Sequence, residues 1–172
     1  EVLVIRLKHK IDGSWLGKMP NLKVIASPTT GLNHIDVYEA GRRKIKIISL
    51  RGHTDFLDKI TSTAEETIGL MLALVRKIPQ AFDHVKKGGW ERDQFRGHQL
   101  AGKTFGILGL GRLGKMVARY ANAMGMKVIA SDPGITVDEA VRLNVEKVEM
   151  KELFRNSEIL SVHVLLTEDT KN

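Results

Sequence analysis

Three glycines in six residues, Gly109, Gly111 and Gly114, interrupt the run "GILGLGRLGK" at 106–115. Before them lies an apolar stretch suited to a buried strand, "TFGILGL" at 104–110. After them Leu113, Met116, Val117, Tyr120, Ala121 and Met124 recur on one face of a helix. A bare turn between strand and helix leaves free N–H groups and the positive helix end facing outward, which suits a phosphate or diphosphate. In that reading Gly109 allows the tight turn and Gly111 lacks the Cβ that would block a pyrophosphate. Gly114 lets helix and strand pack closely. Asp132 stands 18 positions beyond Gly114, at the end of the strand-like "KVIAS" (127–131). There its carboxylate can accept both hydroxyls of an adenosine ribose, completing the context a dinucleotide fingerprint requires. A 2′-phosphate would meet that carboxylate, and "DPGI" brings no Arg after it, so NAD is expected over NADP.

A second phosphate motif competes. "GHQLAGKT" (97–104) matches the nucleoside triphosphate loop G-x-x-x-x-G-K-T letter for letter. That loop must follow a strand and open a helix. Here "ERDQFR" precedes it and the strand-like "FGILGLG" follows, so the match reads as accidental. Among the six histidines, His53 in "RGHTD" stands two residues from Asp55, a superficial likeness to an oriented base. Such a pair in a polar loop is ordinarily just solvated. No group of His and carboxylates has metal-ligand spacing, so neither a metal nor a catalytic residue is assigned.

The elements that must position these residues follow an α/β pattern. Short buried strands are expected at "VLVI" (2–5), "LKVIAS" (22–27) and "KIKIIS" (44–49), with a short helix in "HIDVYEA" (34–40). Strands separated by helical pieces point to a parallel layer. A long helix is expected over 61–79, with Ser62 and Glu65 at capping-box spacing and Pro79 at its end. From Ile68 to Val75 it is apolar on nearly all sides and is expected to be buried. Residues 80–103 read as a polar connection. A second α/β run then covers the glycine strand and helix, 127–131, a weaker helix and strand, a helical turn near 150–155 and a strand "EILSVHV" (158–164).

The 172 residues carry 27 Lys and Arg against 20 Asp and Glu, a net charge of +7. The basic residues are scattered and aromatics are few, which argues against a nucleic-acid partner. No apolar run nears the roughly 20 residues a membrane span needs. The absence of cysteine fits a reducing compartment, and a cytoplasmic location is expected.

With these motifs placed, the chain resembles the D-isomer-specific 2-hydroxyacid dehydrogenases. "SPTTGLNHID" (27–36) is similar to the family's substrate-cradling loop and "STAEETIGLMLALVRKIP" to its interdomain helix. "GGW…LAGKTFGILGLGRLGK" resembles the stretch leading into its cofactor domain, and "HVLLTEDTKN" (163–172) its "HVPLT" segment. The resemblance implies a partial Rossmann-type parallel sheet plus part of a flavodoxin-like substrate domain, joined by a long buried helix. It divides the chain into 1–60 (substrate domain), 61–100 (interdomain helix and connection) and 101–172 (first half of the NAD-binding domain). The implied activity is an NAD-linked interconversion of a 2-hydroxy and a 2-oxo acid, in a homodimer. By position, amides of Thr30 and Gly31 would hold the substrate carboxylate near the nicotinamide, and Arg6 would contact substrate. Arg112 and Leu113 would follow the pyrophosphate turn, Asp132 would hold the ribose, and His163 and Val164 would lie beside the cofactor.

Three departures stand out: Leu165 replaces a usual proline, Asn33 a frequent aspartate, and Ser27 a residue that is basic in phosphoglycerate-type members. The family's catalytic Arg, Glu and His follow the "HVPLT" segment, and the chain starts at Glu1, so a fragment is expected, inactive alone. A glycine strand with an unpaired side, prone to self-association, is also expected. The alternative reading is a non-catalytic NAD-sensing interaction module of the corepressor type.

Overall fold

The computed structural model describes residues 1–166 and Thr170, so 167–169 and 171–172 of the "HVLLTEDTKN" segment lie outside the described residues. Two compact units form, one over Glu1–Lys59 and the other over Ile60–Val164; the described residues after Val164 group with the first.

The first unit is a parallel sheet of β1 (Val2–Val4), β2 (Val24–Ser27) and β3 (Lys46–Ser49), in that order. Parallel neighbours need a crossover, supplied by α1 (Gly13–Gly17) and α2 (Val37–Arg42); α3 (Thr54–Leu57) follows β3. Both crossover helices start on an aspartate: Asp12 accepts from the Trp15 amide and Asp36 from the Glu39 amide. The helix expected over 34–40 therefore begins later. His34 and Ile35 stay outside it, because Ile35 bridges to Ile11 and Asp36 takes the cap. Leu16, Ile25 and Ala40 are fully buried with Ile5, Ile11, Ile35 and Ile45. On the other sheet face, Val4, Ala26 and Ile48 stand in register and, with Phe56, line an open apolar concavity of about 520 Å³.

The second unit begins with α4 (Ser62–Val75) and α5 (Ile78–Lys86), followed by a short 3-10 turn at Asp93–Phe95. Then come β4 (Thr104–Leu108), α6 (Arg112–Ala123), β5 (Lys127–Ser131), α7 (Val137–Arg142), β6 (Glu146–Lys147), α8 (Met150–Asn156) and β7 (Ile159–Val162). The sheet is parallel in the order β6-β5-β4-β7. Its core joins Ala64, Ile68 and Met71 of α4 to Phe105, Ile107, Val117, Ala118 and Ala121. Burying each of the larger side chains contributes roughly 1.5–3 kcal/mol.

Five expectations are corrected here. The helix over 61–79 is two helices, because Lys77 takes a left-handed conformation (φ 53°) and Pro79 lies in the first turn of α5 rather than at an end. Residues 80–103, read as a connection, thus include most of a helix. Ser62 is already helical, so Thr61 holds the cap position and donates to the Glu65 carboxylate instead of forming a capping box. The apolar run of α4 is buried on one stripe only: Leu70 is 62% and Leu74 78% exposed, since the core meets the side bearing Ala64, Ile68 and Met71. Lastly, the glycine strand β4 has neighbours on both sides; the crossover through α8 carries the chain past it, and the sheet edge falls on β7. No helix among the described residues is long and apolar enough to cross a membrane.

Candidate functional site

The turn from β4 into α6 is shaped by what its glycines exclude. Gly109 has φ +91°, and a Cβ there would lie 2.9 Å from the His163 carbonyl carbon and 3.0 Å from the Val164 amide nitrogen. A Cβ on Gly114 would lie 2.2 Å from the Gly109 carbonyl oxygen, an overlap of backbone that no rotamer change relieves. Gly111 is different: a Cβ there would meet nothing within 4 Å, and its backbone (φ −71°, ψ −160°) suits any residue. Packing therefore explains Gly109 and Gly114, whereas Gly111 borders open space. Gly111 is also the cap residue of α6, so no side chain covers the first-turn amides of that helix.

Asp132, at the end of β5, turns toward this elbow. Its Oδ2 accepts from the Leu110 amide at 2.6 Å and its Oδ1 from the Gly134 amide at 2.7 Å. Each carboxylate oxygen has room for a further donor, so a vicinal diol reaching this point would find two acceptors already held in place. Val164 and His163 complete the group by their approach to Gly109, and the His163 amide donates to the Leu108 carbonyl at 2.7 Å. Burial pushes the His163 imidazole below the usual histidine range, and its Nε2 lies 2.9 Å from the Ser161 hydroxyl. Arg112 is the first residue of α6 and Leu113 the second, both half-buried; Arg112 Nη1 donates to the Ile60 carbonyl at 3.4 Å.

Thr30, Gly31 and Arg6 belong to the first unit. Arg6 is exposed just beyond β1. Thr30 is exposed on the loop after β2, and a Cβ on Gly31, as on Gly111, would meet nothing within 4 Å. The loop is tied from beneath: the Leu50 amide donates to the Thr29 carbonyl at 3.1 Å, and the Thr29 hydroxyl to the Gly31 carbonyl at 2.8 Å. The competing motif has no phosphate geometry. Lys103 pairs with Glu158 at 2.6 Å, holding that carboxyl below its usual range, and Thr104 opens a strand rather than a helix. His53 caps α3 without a side-chain hydrogen bond and lines the apolar concavity. Among the described residues no His, Asp or Glu cluster could hold a metal.

Residues 68–172 match the family described as "D-isomer specific 2-hydroxyacid dehydrogenase, NAD binding domain", and residues 1–56 match its "catalytic domain". The chain belongs to the D-isomer specific 2-hydroxyacid dehydrogenase family. It is 40% identical over 172 residues to a hydroxypyruvate reductase of Thermotoga maritima, covering 100% of this chain and 54% of the relative. It is 39% identical over 170 residues to a D-3-phosphoglycerate dehydrogenase of Archaeoglobus fulgidus, covering 99% and 31%. Among solved structures, a D-lactate dehydrogenase from Aquifex aeolicus, complexed with NAD and lactic acid, superposes with TM-score 0.85 at 30% identity, over 99% of this chain and 50% of that one. The chain thus spans 31% to 54% of the length of these relatives. As a 2-hydroxyacid dehydrogenase family member with its NAD binding domain, it takes NAD as cofactor, and the residues present fit that group: an open glycine, uncapped helix amides and an anchored carboxylate.

Sequence reasoning placed the glycines, Asp132 and the 27–36 loop, and missed the hydrogen bonds beneath that loop. Ser27, Thr29 and His34 form them, and their spacing of two and five residues follows no helical or strand period. The Leu110 amide, a partner of Asp132, also left no signal, since it belongs to the backbone.

Proposed function

We propose that these residues are the dinucleotide elbow and substrate-carboxylate loop of an NAD-dependent oxidoreductase that interconverts a D-2-hydroxy acid and a 2-oxo acid. The observation that carries the reading is Asp132, whose two oxygens are held by the Leu110 and Gly134 amides beside the open space at Gly111. Gly109, Gly111, Arg112, Leu113 and Gly114 would take the diphosphate through free amides and the helix end. Asp132 would accept the ribose hydroxyls, with His163 and Val164 flanking them. When bound, NAD supplies or receives the hydride. Thr30 and Gly31 amides would hold the substrate carboxylate, and Arg6 would contact the substrate.

The catalytic Arg, Glu and His expected from the resemblance have no assigned counterpart in residues 1–172. We read residues 1–60 as substrate domain, 61–100 as connection and 101–172 as the first half of the NAD-binding domain. A homodimer is the assembly we read, and the exposed apolar side chains of α4 and α5 support it: Leu70, Leu74, Ile78, Phe82 and Val85 are each more than half exposed.

Titration with NADH, followed by its fluorescence, tests the reading. Saturable binding that is stronger for NADH than for NADPH is expected. Tighter binding of NADPH, or binding indifferent to Asp132→Ala, would overturn it.

A further inference from the structure

Ser27 and His34 are the buried polar side chains among the described residues, at 2% and 7% exposure, and the function proposed above uses neither. Their hydrogen bonds have only one possible direction. The Thr29 hydroxyl donates to the Gly31 carbonyl at 2.8 Å, which uses its single hydrogen. In the 2.8 Å contact between Ser27 Oγ and Thr29 Oγ1, Thr29 must therefore accept and Ser27 donate. The Ser27 hydrogen is then spent, so across the 3.1 Å contact with His34 Nε2 the serine can only accept. The imidazole must carry its proton on Nε2. In a neutral ring that leaves Nδ1 as a bare lone pair, and Nδ1 of His34 is the buried side-chain atom that has no hydrogen-bond partner. The orphan atom is the one that this tautomer leaves without a hydrogen.

The relay ends on a loop that little else holds. Pro28 and Thr30 are exposed, and Gly31 borders open space. Because peptide groups are planar, the Leu50 bond to the Thr29 carbonyl fixes the plane that carries the Thr30 N–H. The Thr29 hydroxyl fixes the carbonyl of Gly31. The Gly31 N–H lies between these two pinned planes.

We propose that His34 is a positioning residue: through Ser27 and Thr29 it aims the Thr30 and Gly31 amides at the substrate carboxylate. The anchoring stands on the geometry alone; its use on a substrate rests on the function proposed above. Amides held before the ligand arrives lose less freedom on binding, which is where such a relay increases affinity.

Nuclear magnetic resonance on the ¹⁵N-labelled chain tests both parts. Long-range ¹H–¹⁵N correlation is expected to show His34 protonated on Nε2 and bare at Nδ1; the opposite tautomer overturns the relay. Thr29→Val keeps the side-chain shape and removes the link, so order parameters at Thr30 and Gly31 are expected to fall from about 0.85 toward 0.6 or below. Thr29→Ser and His34→Gln, which keep a donor, are expected to stay rigid. Equal order in Thr29→Val and Thr29→Ser overturns the proposal. Oxalate added to the NADH-loaded chain is expected to shift the Thr30 and Gly31 amides and to bind roughly tenfold more weakly to Thr29→Val, the effect of about one hydrogen bond. Equal oxalate affinity overturns the positioning role. An absence of any shift in the wild-type chain overturns the substrate reading, while the tautomer and order parameters still decide the relay.

Discussion

At the elbow from Gly109 to Gly114 the backbone is shaped by what a side chain would strike, namely the Gly109 carbonyl and the His163–Val164 peptide. In the loop after β2 the glycine strikes nothing, and hydroxyls tucked beneath the chain set its shape. One is confined because its neighbours leave little other path, the other because hydrogen bonds tie it from beneath. A steric constraint fails abruptly when violated, whereas a hydrogen-bonded one weakens by the strength of the bond removed.

The largest effect that sharpens this contrast is expected from Gly114→Ala. The new methyl would overlap main chain rather than a movable side chain, at a cost of about 1–3 kcal/mol or more. For a unit of this size that lowers Tm by roughly 4–8 °C per kcal/mol, and thermal denaturation should show it together with loss of NADH binding. Asp132→Ala comes next. It removes the proposed ribose acceptor and the anchor of the Leu110 amide, and hydrogen bonds to a charged group are worth roughly 1.5–3 kcal/mol. NADH affinity is expected to fall about 10- to 100-fold by fluorescence titration.

Gly111→Ala separates binding from stability. Its backbone angles accept alanine and its surroundings are open, so Tm should move by no more than about 0.5 kcal/mol equivalent while NADH binding weakens. A large loss of stability would break the distinction between the packing glycines and the open one. The smallest effect concerns the first unit in acid. Arg42 and then Arg43 hold the Glu39 carboxyl down to about 2 from its ordinary 4.5. A depressed carboxyl contributes stability that is present above pH 4.5 and lost as pH falls toward about 2. Glu39→Gln should flatten the stability of that unit across this window, read by acid titration of its far-ultraviolet signal; an unchanged slope would show the pairs to be idle.

The strands at 2–5, 22–27, 44–49, 104–110 and 127–131 were legible because buried parallel strands are short, continuous apolar runs. The elbow was legible because its three glycines sit at a fixed spacing between an apolar strand-like run and an amphipathic helix. The break at Lys77 was not, since a non-glycine residue with φ 53° carries no compositional sign. Nor was the one-sided burial of α4: an all-round apolar run states what a helix can bury, not which of its faces meets a neighbour. By itself the sequence determined the alternation of strands and helices, the glycine turn and the acid one strand on, because those depend on residues close along the chain. Which strand became the edge, which atoms hold Asp132, and the His34–Ser27–Thr29 relay were decided only by tertiary structure, because they depend on groups that meet through the path of the folded chain.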